Sequence, residues 1–120
     1  MNLGEWGEDQ AATYLAENGY RLLERNVRVG PCELDLVMTH EDMIVFVEVK
    51  TRVSSAYGSP EEAVTDRKRE RLQRAAWGYL ERTDQLNMPW RIDVLAIVVS
   101  PGRELIRLDH YPGAFDVGLL

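Results

Sequence analysis

Residues 43–50 read Met-Ile-Val-Phe-Val-Glu-Val-Lys, an apolar run that predicts a β-strand and ends with two charged residues. Because alternate side chains of a strand share a face, Glu48 and Lys50 are predicted to lie on the same face as Phe46. A simple ion pair between Glu48 and Lys50 on a solvated sheet surface also explains this spacing. A solvated face, however, would not be expected to carry Phe46 beside the two charges.

A second strand is predicted just before this one. Residues 33–39 read Glu-Leu-Asp-Leu-Val-Met-Thr and are separated from residue 43 by a short polar segment, so the two strands should form a hairpin. If residues 41–42 form a two-residue turn, Asp35 lies directly opposite Glu48. The hairpin therefore predicts two facing carboxylates.

Facing carboxylates repel each other, so either one of them is protonated or a cation lies between them. Mg²⁺ prefers oxygen ligands and keeps several waters, which makes Asp35 and Glu48 an adequate pair of protein ligands, with Lys50 beside the bound water. Glu8 could add a third carboxylate, because glycines 4 and 7 would let its helix approach the sheet closely. An ordinary solvated helical glutamate explains Glu8 equally simply.

The remaining elements complete an α/β fold. Helices are predicted at residues 3–18 and from about 59 to 82, and further strands at residues 20–29, 91–99 and 104–109. A right-handed crossover through the second helix sets the strand at 91–99 parallel to the hairpin strand. We therefore expect one domain over residues 1–120, a mixed β-sheet flanked by helices, with its core at about 3–99. Residues 100–120 form a terminal strand and an apolar tail, which we expect to dock on the core or on a second copy as a homodimer.

The charges are unevenly distributed along the chain. Fourteen Lys and Arg against twenty Asp and Glu give a net charge of -6, which argues against binding nucleic acid by bulk charge. Residues 50–82, however, hold eight positive and five negative side chains, as a local groove for a polyanion would require. Lys68 falls on the apolar stripe of the second helix, where its ammonium either lies at the rim of the core or reaches a phosphate. A solvated helix face would show a similar charge pattern.

Composition excludes several other classes of protein. A single cysteine, Cys32, rules out an internal disulfide, and with two histidines it is too little for a recognisable zinc cluster. The apolar runs are far shorter than the roughly 20 residues of a membrane span, and the N-terminus has no secretion-signal pattern. We therefore expect a cytoplasmic protein without a membrane partner, in which Trp6, Trp77 and Trp90 pack in the core or at its rim.

These residues resemble a known superfamily. The order α, β, β, β, α, β, with Asp35 on one hairpin strand and Glu48-Val49-Lys50 on the next, resembles the restriction-endonuclease-like core of PD-(D/E)XK nucleases. Over residues 4–99 the chain more closely resembles the bacterial YraN family, which is similar in its core to archaeal Holliday-junction resolvases. That closer resemblance rests on residues 4–8 (Gly-Glu-Trp-Gly-Glu), 26–28 (Asn-Val-Arg), 33–37 (Glu-Leu-Asp-Leu-Val), 45–52 (Val-Phe-Val-Glu-Val-Lys-Thr-Arg), 57–60 (Tyr-Gly-Ser-Pro) and 91–94 (Arg-Ile-Asp-Val).

The resemblance implies a metal-dependent DNA endonuclease that uses Mg²⁺ or Mn²⁺. Asp35 and Glu48 would be metal ligands, Lys50 the catalytic lysine and Glu8 the helical acid, and analogy with the resolvases points to branched or junction DNA. We expect the flanking phosphates to be held by Arg52, Arg67, Lys68 and Arg71. The alternative is a non-catalytic nucleic-acid-binding or interaction module that retains the nuclease fold.

Overall fold

The structure, a computed structural model, describes residues 2–54 and 66–114. Over these residues it shows two helices and five strands, in the predicted order. They are α1 (Leu3–Glu17), β1 (Arg21–Val29), β2 (Cys32–His40), β3 (Met43–Val53), α2 (Asp66–Arg82), β4 (Trp90–Val99) and β5 (Leu105–Tyr111). The predicted start of the second helix, near residues 59–62, and the end of the apolar tail lie outside the described residues.

The five strands form one mixed sheet in the order β1-β2-β3-β4-β5. The hairpins β1–β2, β2–β3 and β4–β5 are antiparallel, whereas β3 and β4 are parallel, as the crossover rule predicts. A mixed sheet flanked by two helices is consistent with a restriction-endonuclease-like core, so the predicted fold class is confirmed. No helix in the described part of the chain is long and apolar enough to cross a membrane.

Helix α1 lies close to the sheet because its sequence permits it. It begins at a variant of the capping box, in which the Glu5 backbone N–H donates to Asn2 Oδ1 at 2.8 Å and the Asn2 side-chain Nδ2, in place of its backbone N–H, donates to Glu5 Oε1 at 2.9 Å. A Cβ atom at Gly7 would overlap Thr51 Oγ1 on β3, so only glycine allows this approach. The close packing brings Glu8, the next residue, toward the sheet.

The sheet separates two apolar layers, and β3 supplies both of them. Val45 and Val47 pack on the α1 side with Leu15, whereas Ile44 and Phe46 pack on the α2 side. This alternation is the one predicted from residues 43–50. It places Glu48 and Lys50 on the α2 side of the sheet.

Strand β2 is irregular at Asp35. Leu34 packs on the α2 side and Leu36 on the α1 side, although residues two apart in a regular strand share a face. On β1, Asn26 lies between the two residues paired with Leu34 and Leu36 and has a φ of 53°, in the left-handed region. The two faces of β2 therefore exchange sides of the sheet at Asp35. The ladder between β2 and β3 ends just before this point, at the pair Leu36–Val47.

Candidate active site

Asp35 and Glu48 meet where β2 and β3 separate. The Val49 backbone N–H donates to Asp35 Oδ2 at 2.9 Å, so the Asp35 side chain takes the place of a strand partner. The side chains of Asp35 and Glu48 are close enough for each to act on the other's charge, and Glu48 is only 6% exposed. Burial, together with the charge of Glu48, raises the pKa of Asp35 to about 8. The predicted approach of these two carboxylates is present in the structure.

Two lysines bind the same oxygen of Glu48. Lys50 Nζ lies 3.1 Å and Lys68 Nζ 3.0 Å from Glu48 Oε1. The ion pair between Glu48 and Lys50 therefore exists, but it is largely buried and does not lie on a solvated surface. Burial lowers the pKa of Lys50, although the charge of Glu48 opposes this shift. The sequence left open whether the Lys68 ammonium lies at the rim of the core or reaches a phosphate. In the structure it reaches from α2 to Glu48 in the carboxylate site.

Glu8 lies near the pair but is also held by β1. Its Oε1 is 3.7 Å from Arg25 Nη2, and its side chain is mostly buried. Burial raises the pKa of Glu8, against a hydrogen bond with Asn26 and the charge of Arg25, and the charge of Glu8 in turn helps to raise the pKa of Asp35. Over residues 2–54 and 66–114, no group of three or more acidic, His or Cys side chains is arranged to hold a metal ion. Glu8 as a third metal ligand thus stays a prediction.

The carboxylates open into a cavity of about 450 Å³ between the β2–β3 edge and α2. Acidic side chains from the strands and cationic side chains from α2 face into it. Its lining residues are Pro31, Cys32, Glu33, Asp35, Glu48, Arg67, Lys68, Arg71 and Leu72. Three of the four residues predicted to bind phosphates therefore line this cavity. The fourth, Arg52, is exposed near the end of β3 and does not line it.

The donor chemistry of the cavity fits a divalent cation. Both lysines bind Glu48, and burial together with the charge of Glu48 raises the pKa of Asp35, so two negative charges on this buried pair are unfavourable unless a further cation is bound. Two carboxylates beside a cavity large enough for several waters suit Mg²⁺, which takes few protein ligands and keeps much of its hydration shell. Asp35 and Glu48 are the residues that would hold it.

Two features of the molecule go beyond what the sequence predicted. Trp77 was expected in the core or at its rim, and it lies 53% exposed on α2 beside the β1–β2 turn, whereas Tyr79 and Leu80 of the same helix are buried. Asp93, in contrast, is fully buried on the α1 side and has four polar partners. The position of Asp93 in an apolar strand was the available signal, but three of its four partners, Tyr20, His110 and Gly113, come from other parts of the chain.

The helices on both faces of a mixed sheet and the αβββαβ order define a PD-(D/E)XK nuclease-like protein. The model of the uncharacterised protein family UPF0102 matches residues 7–97, and the chain belongs to this family, the YraN group. A UPF0102 protein of Syntrophomonas wolfei is 49% identical over 113 residues, covering 94% of this chain and 96% of its own. A UPF0102 protein of Syntrophotalea carbinolica is 47% identical over 119 residues, and the match covers 98% of this chain and 94% of that protein.

Among solved structures, Pyrococcus furiosus SfsA in complex with Ca²⁺ matches 81% of this chain and 56% of its own. The two share 13% sequence identity with a TM-score of 0.30. This similarity is too low to support any statement about the site.

Proposed function

We propose that this protein is a metal-dependent endonuclease that hydrolyses phosphodiester bonds in DNA. The observation that supports it best is the buried pair Asp35–Glu48, with Lys50 beside it, in a cavity whose opposite wall is cationic. An enzyme that cleaves a phosphodiester must offset negative charge on the phosphate and supply a positioned water. Carboxylates that bind a cation, a lysine and nearby arginines meet these needs together.

Each residue has a distinct task in this proposal. When bound, a divalent cation polarises a phosphate oxygen and lowers the pKa of a water ligand. Lys50 orients the attacking water, and its lowered pKa brings proton exchange closer to neutral pH. Lys68 fixes the Glu48 carboxylate through the 3.0 Å contact. Glu8 adjusts the charge around Asp35.

The arginines of α2 are suited to hold the flanking phosphates. Arg67, Arg71 and Arg74 are exposed, line the cavities beside the carboxylates and form no ion pair within residues 2–54 and 66–114. Contacts to phosphates fix the position of DNA without reading its sequence. The local excess of positive charge in residues 50–82 thus offsets the net charge of -6 at the place where DNA would bind.

A cleavage assay tests the proposal directly. Mg²⁺ or Mn²⁺ is titrated into the protein with labelled linear, flapped and four-way-junction DNA. We expect metal-dependent cleavage that falls by at least about 100-fold in Glu48→Ala and Lys50→Ala. Glu17→Ala, an exposed residue at the end of α1, is the matched control and should cleave normally. Folded Glu48→Ala protein that cuts DNA as fast as the wild type would refute the assignment.

One observation favours the alternative of a non-catalytic nucleic-acid-binding module. Lys50 and Lys68 already neutralise Glu48, so the buried glutamate has partners without a metal ion. In that case the protein would bind DNA equally well with and without divalent cations and would cut none of the substrates. The same titration therefore separates the two functions.

A further inference from the structure

A second cavity lies beside the carboxylate site, and neither its apolar lining nor Trp77 has a role in the proposed hydrolysis. Its volume is about 300 Å³, near the lower end for small-molecule pockets, and its lining is mainly apolar. Residues 29–32, at the β1–β2 turn, form one wall, while Arg71, Arg74 and Trp77 of α2 form the other. The indole of Trp77 is half exposed there, unlike Trp90, which packs against Phe46.

The two cavities are neighbours along α2. Pro31, Cys32 and Arg71 line both of them. A helix rises about 1.5 Å per residue, so Trp77 lies roughly 14 Å along the axis from Lys68, which contacts Glu48. A DNA strand advances about 3.4 Å per nucleotide in a duplex, so this distance corresponds to a few nucleotides. A strand cleaved at the carboxylates would pass Trp77.

The helix and the turn are held at a fixed separation. A Cβ atom at Gly78 would come within 2.8 Å of Val29 Cγ1, so the glycine lets α2 pack directly on the end of β1. The next residue back along α2, Trp77, is therefore presented beside the turn by a packed contact. The aromatic face and the arginines are thus positioned before any ligand binds.

We propose that Trp77, with Arg71 and Arg74, stacks an unpaired base of the DNA strand whose scissile phosphate lies at the proposed cation site of Asp35 and Glu48. This inference rests on the proposed function and names its substrate class, which is DNA with unpaired nucleotides near the cut, as in a flap or an open branch. An exposed aromatic ring beside arginines that form no ion pair within the described residues is the arrangement that binds single-stranded nucleic acid by stacking and backbone contacts. Bases inside a duplex are already stacked and cannot enter a side pocket.

A second copy of this chain is the other occupant that an exposed tryptophan suggests. The arginines argue against it, because a symmetric contact would bring like charges together around the apolar patch. DNA instead supplies the opposite charge that Arg71 and Arg74 lack within the described residues. Charge complementarity therefore favours the nucleic acid.

Binding measurements test the proposal without any cleavage. Fluorescence anisotropy with EDTA present compares a fully paired duplex with the same duplex carrying a single-stranded flap. We expect Trp77→Ala to weaken flap binding about 10-fold and duplex binding by less than about 2-fold, with Trp77→Phe close to the wild type. Ile106→Ala, which removes an equally exposed side chain on β5, is the matched control. A 2-aminopurine placed in the flap should be quenched by the wild type and not by Trp77→Ala.

Several outcomes would overturn the proposal. Equal losses on both DNAs, no loss on either, or a decrease in molecular mass of Trp77→Ala by light scattering would each do so. Wild-type protein that binds neither DNA, either with EDTA or with Mg²⁺, would refute both this site and the proposed function. Protein that binds flaps through Trp77 but never cuts them would refute only the nuclease assignment.

Discussion

Asp93 and Asp35 are two aspartates of the same sheet with opposite electrostatic surroundings. Asp93, on the α1 side, is fully buried and accepts bonds at 2.8 Å from Arg91 Nε and 2.9 Å from the Gly113 N–H, and His110 Nε2 lies 2.8 Å away. Burial alone would raise its pKa, but the hydrogen bonds from His110 and Arg91 outweigh burial and lower it.

Asp35 lies beside the cavity on the α2 side of the sheet. It has one backbone donor and a neighbouring carboxylate, and its pKa is raised to about 8. The comparison shows that burial alone does not mark a functional acid. A carboxylate saturated with donors ties parts of the fold together, whereas a carboxylate short of donors is ready for a cation or a proton. The proposed metal site is thus the less satisfied of the two.

The largest effect should come from removing Asp93. Asp93→Ala removes a fully buried carboxylate with four polar partners and leaves the partly buried Arg91 and His110 without their acidic partner, so we expect a loss of about 3–5 kcal/mol in the free energy of unfolding. Urea denaturation measures it. Asp109→Ala, which breaks the more exposed pair with Arg107, should cost under about 1 kcal/mol. Equal losses in the two variants would show that Asp93 does not tie the fold together as described.

Replacing Asp35 should change the stability in the opposite direction, because this carboxylate is unfavourable in its charged form. An unfolded aspartate has a pKa near 3.9, whereas the folded protein holds the Asp35 proton up to about pH 8. The folded state therefore binds more protons between these values, and the metal-free protein loses stability as the pH rises through this window. Asp35→Asn cannot ionise, so its stability relative to the wild type should increase from about pH 4 to pH 8, by on the order of 2–4 kcal/mol. A difference that is constant with pH, in metal-free denaturation curves, would contradict the raised pKa.

A smaller effect should follow from adding the metal. Mg²⁺ or Mn²⁺ at 10 to 100 times its dissociation constant should stabilise the folded protein by about 1–3 kcal/mol. Near pH 7 the binding should also release a proton from Asp35, which isothermal titration in buffers of different ionisation enthalpy detects. Asp35→Asn and Glu48→Ala should lose most of both signals, while Asp109→Ala keeps them. Stabilisation that survives both carboxylate variants would place the cation elsewhere.

The local patterns of the sequence predicted much of this arrangement. The alternation in residues 43–50 identified both faces of β3, and the short turn at 41–42 placed Asp35 near Glu48. The ladder, however, stops one pair before these residues, because β1 and β2 bend together at Asn26 and Asp35. A bend shared by two strands has no periodic signal in either one.

Long-range contacts account for what sequence reasoning could not give. Lys68 binds Glu48 across the cavity, and Tyr20 donates to Asp93 from 73 residues away. Such pairs depend on how the helices and strands pack, which residue spacing within one element does not encode. The half-exposed position of Trp77 depends in the same way on packing, since the buried stripe of α2 passes beside it and not through it.

The bond between the Val49 N–H and Asp35 gives the site a built-in reporter. In an ordinary sheet an amide is protected from hydrogen exchange by a neighbouring backbone carbonyl, which does not titrate. Here one backbone amide is protected by a side chain whose charge changes with pH. The exchange rate and chemical shift of a single β3 amide therefore follow the protonation of Asp35, separately from the stability of the sheet around it.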